Sequence, residues 1–311
     1  MTKKWSSRLT FFAFVVLMVG LGSNDSLRGI FSTIFQEHFS LTTTQLGLIV
    51  TASYIGNLVF LLVGGNLSTR FSKKRVLQVL ILIWMAALAL FAFTSNYTVL
   101  LIGMALALGS STLLNTTMNL ITPLLFATAP GFFVNFLFFT QEIGTSGSQY
   151  ILGSHADGFA FWQHTNLVLL ILGAVAFVLL LFCNVPEEAA APADAPAQKG
   201  GYDWRIIVPY VLVFGFYFIA EHGVMNWMVA YGVDGLGLPQ ASAAKYLSVF
   251  FGGMMIGRLC LSPLVDKLGA LKSLAAFGGV SCVLYLIGSL GGAVTMPVWA
   301  ISGLSFSILY P

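Results

Sequence analysis

Charged residues are scarce in this chain of 311 residues, of which 8% are charged and 58% hydrophobic. Soluble globular domains carry about 25% charged residues, so the scarcity excludes water as the main solvent. Inside a bilayer every backbone N–H and C=O group must be paired, which only α-helices and closed β-barrels achieve. Barrel strands alternate apolar and polar residues, whereas the apolar blocks here are about 20 residues long, as a spanning helix requires. The sequence therefore predicts an all-α membrane protein.

Cysteine is scarce as well. The three cysteines, Cys183, Cys260 and Cys282, lie in apolar segments without a close pair, so they predict neither a disulfide framework nor a metal site. The formal net charge is +3, but the basic residues are divided among short loops, which argues against binding to nucleic acid. No nucleophile–base pair, metal motif or phosphate-binding loop is present. The sequence therefore predicts neither an enzyme nor a cofactor.

The apolar blocks divide into ten predicted spans. The basic residues between Met1 and Arg8 precede the first block, as in a signal peptide, but that block continues to Asn24 and Asp25 without a small-residue cleavage site. The first block is therefore predicted to be retained as a helix. The predicted spans cover residues 9–34, 44–69, 75–94, 98–126, 130–154, 165–185, 205–232, 239–265, 270–290 and 294–311.

One long polar stretch interrupts the series. Residues 186–204 are rich in Ala and Pro, a composition typical of a flexible cytoplasmic linker. Six spans, a linker and further spans indicate two pseudo-symmetric six-helix halves, in residues 1–185 and 205–311. The last span reaches Pro311 without a polar flank. We therefore expect the second half to be incomplete, with about four spans present and the last of them interrupted.

Lysine and arginine are distributed unevenly over the two sides of the predicted bundle. Basic residues accumulate in the cytoplasmic loops of membrane proteins. With a cytoplasmic N-terminus, eleven of the 14 basic residues fall on one side, and the connections on the other side contain none. The sequence therefore predicts a multi-pass protein of the inner (plasma) membrane with a cytoplasmic N-terminus. The eleven residues are Lys3, Lys4, Arg8, Arg70, Lys73, Lys74, Arg75, Lys199, Arg205, Lys267 and Lys272.

Two loops on the predicted cytoplasmic side resemble each other. One follows the second span at residues 65–74, and the other follows the eighth span at residues 262–269. Both resemble, in degenerate form, the loop G-x-x-x-D-R-x-G of the major facilitator superfamily. The first loop retains the Gly and Arg of that motif, and the second retains its Asp and second Gly. The resemblance implies a major facilitator fold.

Opposite charges in such loops can hold the cytoplasmic side in one conformation and release it in another. The alternative is a basic loop that only sets the orientation, because Thr69 replaces the acid in the first copy. The residues predicted to form this conformational gate are Gly65, Arg70, Arg258, Asp266 and Lys267.

Further stretches resemble the fucose-permease branch of this superfamily, the proton-linked fucose, galactose and glucose symporters. The resemblance implies transport of a sugar with protons. One position departs from the pattern, because Asn115 replaces the family's glutamate in the fourth helix, so a proton-coupling role there is not carried over. The matching stretches are Asn24-Asp25, Leu41–Ile49, Tyr217–Gly223, Phe251–Arg258 and Gly303–Pro311.

Four ionisable side chains inside predicted spans are the predicted proton-coupling residues: Asp25, Glu142, Glu221 and His222. An ionisable group at membrane depth costs at least about 2.5 kcal/mol, which makes it a functional candidate by default. Asp25 also matches the acid in the family's first helix. The alternatives are structural: an ion pair of Asp25 with Arg28, three residues on, or interhelical hydrogen bonds for the others.

Glu142 has especially apolar neighbours, because residues 132–139 before it are strongly hydrophobic. Apolar surroundings favour the neutral form of a carboxyl group, as a proton-binding site requires. Helical spacing places Glu142 on one face with Thr145 or Ser146 and with Gln149.

Amide and aromatic side chains in the spans form the predicted substrate-binding set. Sugar sites use amide hydrogen bonds to hydroxyl groups and an aromatic face against the ring. The alternative is again structural, since small polar residues join helices and Trp and Tyr are common at membrane interfaces. The set comprises Asn24, Asn115, Asn119, Gln141, Gln149, Asn226, Trp227 and Tyr231.

Together these patterns favour a proton-driven symporter for a small neutral polar solute, a monosaccharide, working by alternating access of two halves. Its predicted partners are the solute, protons and the lipid bilayer, and it is predicted to be monomeric. An exporter of drugs or other amphipathic solutes is the alternative within transport. A non-transporting membrane receptor or scaffold is the alternative of another class.

Overall fold

The computed structural model describes residues 3–128, 130–186 and 204–309. Within these ranges the side-chain surroundings of a few helical positions are not described. These positions are residues 3–6, 65–70, 206, 259, 262, 263, 266 and 270. All regular structure in the described ranges is helical, as predicted. The predicted linker lies, from residue 187 to residue 203, outside the described residues.

Thirteen α-helices run through the described ranges. The first seven are α1 (Lys3–Ile30), α2 (Ser32–His38), α3 (Thr43–Arg70), α4 (Lys73–Phe93), α5 (Tyr97–Leu125), α6 (Pro130–Ile151) and α7 (Phe159–Phe182). The other six are α8 (Trp204–Ala230), α9 (Gln240–Cys260), α10 (Ser262–Leu268), α11 (Ala270–Leu290), α12 (Met296–Ile301) and α13 (Gly303–Phe306). A π-helix, Tyr231–Gly235, extends α8, and a 3-10 turn, Gly292–Thr295, precedes α12.

Seven of the described helices are long and apolar enough to cross a bilayer by composition alone. Two more, α6 and α9, have 22 and 21 residues, which is also sufficient length. They fall outside the apolar set because both carry a series of polar side chains. These two helices pack against each other, so their polar faces are turned to protein and away from lipid.

Three predicted spans are interrupted. The first breaks at Phe31, between α1 and α2, and the eighth breaks at Leu261, between α9 and α10. Pro263 at the start of α10 has no N–H to donate to the turn before it, which explains the second break. The tenth span consists of short helical pieces that follow Gly292, whose φ is +73°. A hydropathy profile does not reveal such breaks, because the residues on both sides of each break remain apolar.

The hydrophobic core forms two clusters of buried side chains. The first is built by α1 to α7 around large side chains such as Phe14, Trp84 and Trp162, all at most 1% exposed. The second is built by α8 to α13 around Phe250 and Trp299. We call these the amino-terminal group and the carboxy-terminal group of helices. The two groups contact each other mainly through α1 with α8 and through α6 with α9.

Glycine permits close approach of the backbones at two helix–helix contacts. A Cβ at Gly56 in α3 would lie 2.5 Å from the carbonyl carbon of Ala105 in α5. A Cβ at Gly29 in α1 would overlap the carbonyl oxygen of Met225 in α8. The first contact is within the amino-terminal group, and the second joins the two groups. Small residues at such crossings are common in membrane helices, because they allow the backbones to pack closely.

We expect Gly56→Ala to destabilise the protein, because the added methyl group must push α3 away from α5. Gly47→Ala in the same helix is the control, since nothing lies within 4 Å of a Cβ at that position. At position 47 the substitution should only stabilise the helix, by about 0.5–1 kcal/mol, because alanine has a higher helix propensity than glycine. Thermal unfolding of the purified variants in detergent measures the difference. Equal midpoints for the two variants would contradict the close approach of α3 and α5.

Candidate functional site

The predicted ionisable residues fall into two polar clusters between the helices. The first, which we call the Asp25 cluster, joins α1, α3, α5 and α8. It contains Asp25, Arg28, Tyr54, Ser111, His222 and Asn226. The second, the Arg258 cluster, joins α6, α8 and α9. It contains Glu142, Tyr217, Glu221 and Arg258.

Asp25 is held by neutral hydrogen-bond donors. Its Oδ2 accepts a hydrogen bond from the Ser111 hydroxyl at 3.1 Å, and its Oδ1 accepts one from Nδ2 of Asn24 at 3.4 Å. Asn24 is 4% exposed, whereas Asp25 is only partly buried. Asn24, predicted to bind substrate, therefore orients the predicted proton carrier. The carboxylate retains access to the space between the helices.

Arg28 does not form the predicted ion pair with Asp25. Its positive charge acts on Asp25, but its Nε donates instead to Oδ1 of Asn226 at 3.3 Å. Nδ2 of Asn226 in turn donates to the Tyr54 hydroxyl at 3.2 Å and to the carbonyl of His222 at 2.7 Å. The ion-pair alternative is therefore wrong in this structure. Arg28 links the amino-terminal group to α8 through a neutral amide.

His222 lies beside this amide. Its ring packs edge-on against Tyr54, with 5.5 Å between ring centroids. Its Nδ1 is 3.0 Å from the carbonyl oxygen of Phe218. Because a carbonyl oxygen only accepts hydrogen bonds, Nδ1 carries a proton and Nε2 remains available to a solute or a second proton.

The Arg258 cluster contains a partly buried ion pair, in which the Arg258 side chain is 22% exposed. Nη1 of Arg258 donates to Oε1 of Glu142 at 2.9 Å, and Glu142 is 8% exposed. Arg258 was predicted as a cytoplasmic gate residue from its place in a motif. It lies in the last turn of α9 and pairs with Glu142 of α6, and its role in a gate stays a prediction. Oε2 of Glu142 has no hydrogen-bond partner among the described residues and is free to take a proton.

Glu221 brings a second carboxylate to the same arginine. It is 8% exposed, and its charge acts on Arg258 and on Glu142. Tyr217, one helical turn before Glu221, also interacts with Arg258. Two carboxylates and one guanidinium therefore lie within electrostatic range of one another between α6, α8 and α9. Such a set is electrostatically neutral when one of the two carboxyl groups holds a proton.

The predicted amide residues separate into two places. Asn119 donates to Asn115 at 2.7 Å, and Asn115 donates to Gln141 at 2.7 Å, so these three form one chain between α5 and α6. Gln149 is fully buried, and neither of its amide atoms has a partner among the described residues. It lies on α6, seven residues after Glu142, on the same face of the helix.

The two predicted aromatic residues face different surroundings. Trp227 packs against the hydrophobic cluster of the amino-terminal group. Tyr231 belongs to the carboxy-terminal group, where its hydroxyl donates to the carbonyl of Ser289 at 3.1 Å and its ring lies 5.9 Å from Trp299. Their spacing of four residues therefore does not create a shared aromatic surface. The π-helix Tyr231–Gly235 begins at the second of these residues.

The predicted cytoplasmic gate remains a prediction. Gly65, Arg70 and Asp266 lie outside the residues whose side-chain surroundings are described. Lys267 is exposed on the short helix α10.

Other contacts between the two groups lie toward the face opposite the start of α1. Gln240, at the start of α9, donates to the carbonyl of Ile30 at 2.6 Å and accepts from the Thr33 hydroxyl at 3.0 Å. Ser146 and Ser248 exchange hydrogen bonds between α6 and α9, with 3.2 Å between their hydroxyl oxygens. A cavity of about 670 Å³ opens above these contacts, and none of the predicted site residues lines it.

Sequence reasoning missed three members of the Asp25 cluster. Ser111 and Tyr54 are single polar groups in apolar helices, and Arg28 was considered only as a partner of Asp25. The available signal was weak, because nothing in the sequence connects Arg28 with Asn226, which is 198 residues away. Among the described residues no group of His, Cys, Asp and Glu has an arrangement that could hold a metal ion.

Known proteins resemble this chain in sequence and in fold. The profile of the Major Facilitator Superfamily matches residues 10–311. The L-fucose-proton symporter of Escherichia coli (strain K12) is 24% identical over 331 residues, covering 92% of this chain and 74% of that protein. The hexuronate transporter of Bacillus subtilis (strain 168) is 28% identical over 231 residues, covering 68% of this chain and 53% of that protein.

A solved structure establishes the fold. The crystal structure of FucP, a major facilitator transporter in the outward conformation, matches with a TM-score of 0.69 at 19% identity. The match covers 98% of this chain and 83% of the other. The predicted major facilitator fold and the resemblance to the fucose-permease branch are therefore confirmed.

We expect Glu142→Gln and Arg258→Gln each to lower the thermal stability of the protein. Removing one partner of this partly buried ion pair leaves the other charge without its partner, at a cost below the about 3–5 kcal/mol of a fully buried pair. The double variant should lose less than the sum of the two, by about 0.5–3 kcal/mol of coupling. Glu37→Gln, the same change at an exposed position, is the control and should be neutral. Additive losses in unfolding midpoints would show that the pair does not form.

Proposed function

The chain belongs to the Major Facilitator Superfamily, and on that premise we propose that it moves a small polar solute together with protons. The family makes it a multi-pass membrane transporter and not an enzyme. The proposal extends to the coupling ion, the class of solute and the residues that bind each of them. The observation that carries it is the pair of carboxylates that share Arg258 between the two groups of helices.

Proton coupling is supported by the charge of the Arg258 cluster. With Glu142 and Glu221 both ionised, two negative charges face one positive charge. A proton on one of the two carboxyl groups balances that charge. Because the cluster joins α8 and α9 to α6, its charge acts on the contact between the groups. A proton that binds one conformation more tightly shifts the equilibrium toward it.

The Asp25 cluster supports binding of a hydroxylated solute next to these carboxylates. Asn24, Asn226, Tyr54 and His222 supply hydrogen-bond donors and acceptors around a partly accessible carboxylate. The similar proteins are named for L-fucose and for hexuronate, both of them hydroxylated sugars or sugar derivatives. We therefore assign a sugar or sugar derivative as the solute. The Asn119–Asn115–Gln141 chain is proposed as the neighbouring wall of the same site.

Alternating access completes the proposal. Residues 1–185 and 205–311 act as two halves, joined by the cytoplasmic linker 186–204, that rock about the polar clusters. The excess of basic residues at the face where α1 begins assigns that face to the cytoplasm of the inner membrane. Contacts of Gln240 and Ser248 with the amino-terminal group lie toward the outer face. The conformation described here is then closed on the outside.

We expect a proton gradient to drive sugar accumulation by the full-length transporter in proteoliposomes, tested with L-fucose, D-galactose, D-glucose and D-glucuronate. Glu221→Gln should reduce gradient-driven accumulation about tenfold or more while exchange of labelled for unlabelled solute persists, because only the coupling is lost. Asp25→Asn is tested in parallel. Glu37→Gln, an exposed acid, is the matched control.

Two outcomes of these measurements would contradict the proposal. If Glu221→Gln and Asp25→Asn both retained full gradient-driven accumulation, the assignment of proton coupling to these clusters would be wrong. If the unsubstituted protein accumulated solute equally with and without a proton gradient, proton coupling itself would be wrong.

A further inference from the structure

Arg28 is a buried cation that no described residue neutralises with an ion pair. Its side chain is 4% exposed, and its Nε is engaged by the neutral amide of Asn226. Arg258, the other arginine between the helix groups, has its ion pair with Glu142 at 2.9 Å. An isolated buried charge is costly unless it gains a partner. Arg28 therefore has an unmet requirement for an anion.

The terminal nitrogens of Arg28 are the atoms that can meet this requirement. Within the described part of the chain, neither Nη1 nor Nη2 donates a hydrogen bond. Neither is among the fully enclosed atoms that lack a partner, so both keep a small accessible surface toward the space between the helices. With Nε fixed by Asn226, the planar guanidinium presents two adjacent donors to that space. This geometry matches the two oxygens of a carboxylate.

Asp25 does not provide that carboxylate. Its two oxygens accept hydrogen bonds from Ser111 and from Asn24, and it acts on Arg28 only through the electrostatic field. Asp25, the acid nearest to Arg28 in the sequence, therefore binds neutral hydrogen-bond donors and not Arg28. The two open donors of Arg28 are left for a group that the protein itself does not contain.

We propose that Arg28 binds the carboxylate of the transported solute, and that this solute is a sugar acid. The inference rests on the proposed function and names the substrate class of the same site. Tyr54, Asn226 and His222 surround the guanidinium with the polar groups that sugar hydroxyls require. A neutral sugar would satisfy the hydroxyl partners but leave the charge of Arg28 unpaired.

The test compares D-glucuronate with D-glucose, which differ only in a carboxylate at carbon 6. Binding to the purified full chain in lipid nanodiscs is measured by calorimetry. We expect D-glucuronate to bind about 10- to 100-fold more tightly, the range for hydrogen bonds to a charged group. Arg28→Gln should remove this preference, and Arg28→Lys should keep part of it, since lysine retains the charge without the paired donors.

Arg75→Gln is the control, because Arg75 is an exposed arginine on α4 outside both clusters. The Arg75→Gln variant should prefer D-glucuronate over D-glucose as strongly as the unsubstituted protein does. If Arg28→Gln does not fold, as judged by its unfolding midpoint, the Arg28→Lys variant still decides the question. Equal affinity for D-glucose and D-glucuronate, or unchanged D-glucuronate affinity in the Arg28 variants, would overturn the inference.

The result also separates this inference from the proposed function. Gradient-driven uptake of neutral hexoses without binding of D-glucuronate or D-galacturonate would remove the sugar-acid assignment and leave proton-coupled transport in place. Binding of D-glucuronate that depends on Arg28, without any effect of the proton gradient on uptake, would support the inference and remove the coupling.

Discussion

The rest of this structure depends on one constraint, the need of a charge inside the bilayer for a protein partner. The ion pair between Glu142 and Arg258 is an instance of it. Charges in a bilayer are tolerated only where protein groups replace the water they have lost. The polar helices α6 and α9 therefore cannot face lipid, and they pack against each other where the two groups of helices meet. The same constraint draws Asp25, Arg28, Glu221 and His222 inward. The contact between the groups is consequently rich in polar and charged side chains.

Such a contact suits a transporter because its energy depends on charge. Apolar packing holds each group of helices together around residues such as Trp84 or Phe250, and it does not change when a proton binds. The contact between the groups relies on a few hydrogen bonds and on the balance around Arg258. Adding one proton or one anionic solute alters that balance without disturbing either core. Rigid groups with a switchable contact are what alternating access requires.

The sequence predicted the helical class and singled out the three acids that lie in the two clusters, because apolar length and the cost of buried charge are local properties. It could not predict that Arg28 pairs with Asn226 or that Glu142 pairs with Arg258, since these contacts join residues 198 and 116 positions apart. Spacing also could not predict that Trp227 packs against the amino-terminal group while Tyr231 packs within the carboxy-terminal group. The motif at Arg258 indicated the family but not the partner of the side chain.

The most direct test of the account is a crosslink between the two groups of helices. Ser146 and Ser248 face each other across α6 and α9, with 3.2 Å between their hydroxyl oxygens. In a background without the three natural cysteines, Ser146→Cys with Ser248→Cys should form a disulfide on oxidation. The account predicts that solute uptake then stops and returns on reduction, because the outer face can no longer open. Uptake that continues unchanged in the crosslinked protein would contradict it.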